Sequence, residues 1–379
     1  MTQRVYNFAA GPGALPLPVL EEIQRDLVAH PELGASVLEA SHRSKWFDGV
    51  LAAAEYNLRT LLRIPMEFAV LFLQGGASLQ FDMVPMNFLR RDGPAADYVV
   101  TGSWGEKALG EAVRVAGAEA VRTAWSGKAG GYVRTPSPHE AAIQPGAAYA
   151  HYTSNETIHG VEFFELPAVP DGVPLMCDAS SDFLSRPMDV ERHALIYAGA
   201  QKNAGPAGVT IAILREDLLG RIGANLPAGV ELPAMLDYRV QAREGSRYNT
   251  PPVFGVYVVG LVARWLIETV GGLRKMEELN RQKAQLVYDA IDSSSGFYRG
   301  HAEPACRSRM NLTFGLPTEE LEKQFVKEAG ARGMVELKGH RSVGGIRASL
   351  YNAVPLDAAQ ALAEFMKDFS ENNADASRR

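Results

Sequence analysis

Cysteine is nearly absent: the 379 residues contain two, Cys177 and Cys306. Two thiols cannot staple a secreted scaffold, so the chain reads as one for the reducing cytoplasm. Basic residues are outnumbered 38 to 44, a net charge of −6, so no surplus marks a nucleic-acid or anionic-membrane partner. No run of about 18 apolar residues stands uninterrupted, and no transmembrane helix is expected. The opening stretch MTQRVYNFAAGPGALP lacks the apolar core of a secretory signal. Internal repeats are missing, and no metal site is expected. The triplets at Asn155 (NET) and Asn311 (NLT) match the glycosylation pattern but carry no weight in a cytosolic chain.

What is present is a globular composition, 46% hydrophobic and 22% charged. The length suits one large domain of roughly 200–250 residues and a smaller one. Amphipathic patterns predict helices over 17–30 and 44–64. Short apolar runs follow at 68–73, 97–101, 147–152, 173–177, 195–199 and 209–214, with helix-like stretches at 78–90 and 103–117 between some of them. That alternation predicts an α/β fold with a mostly parallel sheet under helices. Residues 253–273 read as a long buried helix, interrupted by Arg264 and Glu268, that bridges into a second domain. From about 274, helices (274–292, 318–332, 356–369) and strands (308–314, 334–337, 345–350) form an α+β pattern, followed by a polar tail after Phe369 that reads as frayed.

Lys202 lies between two apolar runs, in LIYAGAQKNAGPAGVTIAIL (195–214), beside small residues. Alone it reads as a snorkelling surface lysine. The alternative is a Schiff-base lysine, desolvated so that its pKa falls toward neutrality, with room for a flat cofactor. Asp178 ends the run PLMCD, where a parallel strand opens into a crevice. It is either a helix cap or a buried carboxylate that needs a cationic partner, such as a pyridinium nitrogen. In LQGGASLQF (73–81), Gly75 and Gly76 turn the chain, so that the amides of Ala77 and Ser78 can hold a phosphate at a helix N-terminus. This turn has neither the P-loop lysine nor the GxGxxG spacing, which leaves a nicotinamide dehydrogenase without its signature. Trp104, just past a strand, is either core or a stacking surface. Thr157 offers a hydroxyl in a polar stretch. The pairs His42–Arg43 and His340–Arg341, with Arg347, suggest a site for a ligand with more than one anion.

These segments, with NFAAGPGALP (7–16), SHRSK (41–45), SNETIHG (154–160), DASSDFLSRP (178–187), YAGAQKNAGPAG (197–208), YNTPP (248–252) and KGHRSVGGIRASLYNA (338–353), resemble the class V aminotransferases. Those are pyridoxal-phosphate-dependent enzymes of fold-type I. Within them the resemblance is to the phosphoserine aminotransferase family, in order and spacing along nearly the whole chain. It implies a large domain over 16–265 built on a mostly parallel seven-stranded sheet, and a smaller α+β domain from 1–15 and 266–379. It further implies that Lys202 carries pyridoxal 5'-phosphate and shuttles a proton, that Asp178 pairs with the ring nitrogen, that Trp104 stacks on the ring and that Thr157 bonds its phenolic oxygen. Ala77, Ser78 and Gln201 would hold the phosphate, with Asn249 and Thr250 of a partner subunit. Some members carry arginine at the position of Ser78, where a backbone contact survives. His42, Arg43, His340 and Arg341 would bind the substrate's distal anion, and Arg347 its α-carboxylate. The implied reaction is ping-pong transfer from L-glutamate to 3-phosphohydroxypyruvate in a cytoplasmic homodimer, with a possible pyridoxine-pathway substrate, 4-phosphohydroxythreonine. A cysteine desulfurase would need an exposed nucleophilic thiol; Cys177 lies in an apolar run and nothing around Cys306 marks it as catalytic.

Overall fold

The computed structural model describes residues 4–90, 92–222 and 231–373. Seven strands form the central sheet: β1 (Phe68–Leu73), β2 (Ala96–Val100), β3 (Val121–Ser126), β4 (Ala150–Thr153), β5 (Leu175–Asp178), β6 (Leu195–Gly199) and β7 (Thr210–Arg215). Their order is β1-β7-β6-β5-β4-β2-β3. Only β7 runs antiparallel to its neighbours, β1 and β6. The carboxyl ends of β1, β2, β4, β5 and β6 therefore share one edge, where crossover loops leave a crevice. Strands β2, β4, β5 and β6 are buried along their whole length, which is why they read as unbroken apolar runs. β3 has no such run. It is the half-exposed edge strand, with Arg122 paired to Asp97 on β2.

Two apolar cores cover the faces of this sheet. One includes Phe47, Leu58, Phe72, Cys177, Ile196 and Ile213, and the other Phe81, Val84, Tyr98, Met176, Tyr197 and Leu214. Helix α1 (Leu17–Asp26) ends four residues short of the predicted span, and α2 spans Lys45–Leu62 under a cap in which Ser44 Oγ accepts from Phe47 N. Helices α3 (Gly76–Phe88) and α4 (Ser103–Ala116) start at the sheet's carboxyl edge. The short α5 (Tyr238–Arg243) precedes α6 (Val253–Trp265), which passes through a π-helical turn, Leu266–Val270, to Gly271. Residues 253–270 are apolar and long enough to cross a membrane by length and composition; half of that window is buried in the protein, and Arg264 pairs with Glu22 of α1.

A separate core joins α7 (Leu273–Asp292), α8 (Glu319–Ala331) and α9 (Leu356–Asn372) to a three-stranded antiparallel sheet of β8 (Arg299–Gly300), β9 (Asn311–Gly315) and β10 (Ile346–Ser349). Phe8 enters this core, and Tyr6–Asn7 pairs with Met334–Val335, which ties the N-terminal segment to it. Leu273 and Met276 at the start of α7 still pack in the first core, whereas Ala284 onward pack in this one. The stretch after Phe369 begins as helix, since α9 runs to Asn372; the polar tail from 374 lies outside the described residues.

Candidate active site

The crevice is built from the strand ends. β6 ends at Gly199, and the turn after it presents Lys202. β5 ends at Asp178, which lies in register between Thr153 of β4 and Tyr197 of β6. β4 leads into a short hairpin, Asn155–Glu156 against Val161–Glu162, with Thr157 in its turn. Lys202 Nζ donates to Thr157 Oγ1 at 2.8 Å and stands 5.6 Å from the centre of the Trp104 ring. Burial draws the Lys202 ammonium down to about 8; Asp178 and Glu156 oppose that fall, and Arg347 adds to it. Asp178 is buried, and desolvation raises its pKa against the opposing pull of Ser180 and Lys202. Its Oδ1 accepts from the amide and hydroxyl of Ser180, at 3.0 and 2.6 Å. Its Oδ2 has no hydrogen-bond partner among the described residues, so one acceptor is free for an incoming N–H. The Trp104 ring also carries the Lys107 ammonium, 4.0 Å from its centre, and its buried Nε1 has no hydrogen-bond partner among the described residues.

Gly75 and Gly76 adopt φ of +87° and +66°, the left-handed region that glycine favours. They open α3 so that the amides of Gly76, Ala77 and Ser78 precede the first helical bond, Leu79 N to Gly75 O, with no side chain capping them. Such a turn is suited to a phosphate. Gln201, just past the end of β6, folds back over Gly199: a Cβ there would stand 2.6 Å from Gln201 Oε1.

Arg347 on β10 is half-buried and has no ion-pair partner among the described residues. Its charge reaches Lys202, and burial lowers its own pKa. It lines a cavity of about 320 Å³ with His340, Arg299 and His301. His340 is held below its ordinary pKa by burial and by Arg347, Arg341 and Lys107. Arg341 is exposed on the same loop. The structure thus brings Lys202, Asp178, Thr157, Trp104 and Arg347 together, with His340 and Arg341 on the adjoining loop. It does not join His42, Arg43, Asn249 or Thr250 to that group: no hydrogen bond or ion pair links them to it among the described residues. Arg247 pairs with Asp48 of α2, and Gln74 Nε2 donates to Thr250 O at 3.4 Å, beside the glycine turn.

Three features escape the sequence reading. Residues 10–13 roof the lysine: Gly13 N donates to Gln201 O, and a Cβ on Gly11 would lie 3.5 Å from Lys202 Cγ. Tyr351 holds that roof by donating to Ala10 O at 2.7 Å. Glu156, read only as part of a motif, is fully buried and accepts from Trp104 N and Gly105 N at 3.1 and 2.8 Å. Cys177 is fully buried and its thiol is pushed up by desolvation, while Cys306 Sγ lies against Thr135. Neither has the setting of a desulfurase nucleophile.

The family model "Aminotransferase class-V" matches residues 5–371. A phosphoserine aminotransferase of Geobacillus kaustophilus is 54% identical over 367 residues, 97% of this chain and 98% of that protein. One of Rhodopirellula baltica is 49% identical over 372 residues, covering 98% and 96%. The solved phosphoserine aminotransferase of Bacillus circulans subsp. alkalophilus superposes with a TM-score of 0.93 at 49% identity, over 98% of this chain and 100% of that one. The pyridoxal-phosphate-bound phosphoserine aminotransferase of Trichomonas vaginalis gives 0.88 at 41%, over 96% and 100%. With a match over nearly its full length, the chain belongs to the class-V aminotransferases and, within them, to the phosphoserine aminotransferase family.

Proposed function

We propose that this chain transfers the amino group of L-glutamate to 3-phosphohydroxypyruvate, giving 2-oxoglutarate and O-phospho-L-serine for serine biosynthesis, with pyridoxal 5'-phosphate held on Lys202. The carrying observation is the desolvated Lys202 amine 2.8 Å from Thr157, on a strand edge shared with Asp178. The donor set fits the cofactor: a low-pKa amine for the aldehyde, a free carboxylate oxygen for the ring nitrogen, an indole facing the lysine for the ring face and open helix amides for the phosphate. Its binding in the Trichomonas vaginalis relative supports the same reading. When bound, pyridoxal phosphate supplies the aldehyde that accepts the amino group and a ring that takes up electrons from the bond broken at Cα.

The chain's own residues do the rest. Asp178, anionic and fixed by Ser180, holds the proton on the ring nitrogen. Thr157 bonds the phenolic oxygen and Trp104 covers one face. Ala77, Ser78 and Gln201 hold the phosphate, joined by Asn249 and Thr250 from a second copy of the chain. The Lys202 amine would take the proton from substrate Cα and deliver it to the former aldehyde carbon across the nitrogen, water then releasing the oxo acid; a buried amine near pH 8 is poised for that task. Arg347 takes the α-carboxylate. His42, Arg43, His340 and Arg341 take the distal anion. Glutamate and the phosphorylated oxo acid each present these two anionic ends, so they use one site in turn, which is ping-pong order. The homodimer reading rests on the family resemblance, in which Asn249 and Thr250 complete the phosphate site of a second copy. The cytoplasm is proposed on composition, with both cysteines free thiols.

The test is a half-reaction. Cofactor-loaded protein given glutamate alone should release about one equivalent of 2-oxoglutarate per site and stop until the oxo acid is added. Release that requires both substrates together would refute the shared-site order.

A further inference from the structure

The hairpin after β4 contributes a group that none of the roles above uses. Glu156 is fully buried, yet no lysine or arginine forms an ion pair with it among the described residues. Its oxygens are spent on the start of α4: Oε2 accepts from Trp104 N at 3.1 Å and Oε1 from Gly105 N at 2.8 Å. Two amides that a helix start would otherwise leave open are thus satisfied by one carboxylate, whose charge also suits the positive end of the helix. The backbone is shaped to receive it. A Cβ at Gly102 would fall 2.5 Å from Glu156 Cδ, and one at Gly105 would fall 3.4 Å from Oε1. On the chain, Glu156 is followed by Thr157, the residue bonded to Lys202 Nζ. One side chain therefore braces the indole that faces Lys202 against the turn that bonds its amine.

We propose that Glu156 is the positioning residue of this site: its carboxylate locks the first turn of α4, and with it the Trp104 ring, to the Thr157 turn, and it supplies a buried negative charge beside Lys202. The proposal rests on Lys202 and Trp104 being the cofactor contacts proposed above. The charged groups facing Lys202 are Asp178, Glu156, Arg347 and Asp182, and those facing Glu156 are Asp178 and Lys202. Burial raises Glu156 to about 7, so it is mostly anionic where Lys202 titrates, near 8. A neighbouring anion holds the lysine proton on; removing it should let the proton leave at lower pH.

Glu156→Gln tests this. It keeps the volume and one acceptor but turns an NH₂ toward a backbone N–H. In cofactor-free protein, the labelling of the Lys202 peptide by an amine-reactive probe is followed against pH by mass spectrometry. The Lys202 midpoint should fall by about half a pH unit or more. The dissociation constant for pyridoxal phosphate, read by equilibrium dialysis, should rise about tenfold, the size of one lost charge-assisted hydrogen bond. A fall in melting temperature with the midpoint and the dissociation constant both unmoved would make Glu156 merely structural and overturn the proposal. If Glu156→Gln does not fold, Gly102→Ala displaces the same carboxylate while keeping its charge; cofactor binding should again weaken, and wild-type binding would overturn the claim. Neither readout uses a substrate. A protein that makes no phosphoserine but shows both shifts overturns the substrate assignment and leaves this one standing.

Discussion

The amine of Lys202 and the hydroxyl of Thr157 meet at 2.8 Å, although they come from the ends of different strands, β6 and β4. β5 lies between those strands and ends at Asp178. A cation, a hydroxyl and a carboxylate are thus set across three neighbouring strand ends by sheet order alone, and several tests follow from that arrangement.

The first concerns pH. Burial lowers Lys202 from its ordinary 10.5 to about 8. Only the neutral amine attacks an aldehyde, so the rate of cofactor capture by cofactor-free protein should rise with pH, reach half its maximum near pH 8 and level off above. Stability moves in the same direction. The unfolded chain keeps this proton to higher pH than the folded one, so Lys202 contributes a gain in stability between about pH 8 and 10.5. Stopped-flow absorbance and denaturant titrations check the two statements.

Asp178→Asn keeps the shape and removes the charge. Its Oδ1 can still accept from Ser180, but an amide cannot hold a proton on a pyridine nitrogen. Turnover should fall on the order of a hundredfold, as for a lost interaction of about 2–3 kcal/mol with a charged group. Steady-state kinetics on the cofactor-saturated variant decide it; turnover within twofold of wild type would remove Asp178 from its proposed role.

Gly339→Ala should disturb the anion loop without touching the lysine. A Cβ there would lie 1.9 Å from Gly344 O and 2.6 Å from Gly345 O, so the turn carrying His340 and Arg341 must move. The KM for the phosphorylated oxo acid should rise about tenfold or more, with a smaller change in kcat. Equal losses in both parameters would place the loop's part in the chemical step instead.

Lys283 gives a test of stability. This buried lysine of α7 donates to the carbonyls of Leu350, Tyr351 and Val354 at 3.2, 2.9 and 3.0 Å. The turn it holds includes Asn352, whose amide donates to Asn203 Oδ1, beside Lys202. Lys283→Met leaves those carbonyls without their donor and should cost about 3 kcal/mol in denaturant unfolding. A loss below about 1 kcal/mol would mean that the turn holds itself.

Much of this was legible in the sequence. The apolar runs ending near Asp178 and before Lys202 mark buried parallel strands, because such strands have no polar face to show. β3 was missed for the converse reason: its edge position leaves VRTAWS without an apolar run. The roof over Lys202 was not legible either, since residues 10–13 meet the lysine only through the folded chain, by Gly13 N to Gln201 O. Glu156 was hidden by its company. In a polar hairpin a glutamate reads as exposed, and only the missing side chain at Gly102 shows the space made for it. His42, Arg43, Asn249 and Thr250 stand out in the sequence, yet no hydrogen bond or ion pair among the described residues joins them to Lys202.

The central claim is best tested by one assay. Purified protein loaded with pyridoxal phosphate is given isotopically amino-labelled glutamate and 3-phosphohydroxypyruvate, and O-phospho-L-serine is followed by mass spectrometry, with the 4-phosphohydroxythreonine oxo acid as a parallel acceptor and Lys202→Ala beside wild type. The account predicts labelled phosphoserine from the wild-type protein and almost none from Lys202→Ala, which should still fold as a dimer. Label in neither phosphorylated product, or equal label from the variant, would contradict it.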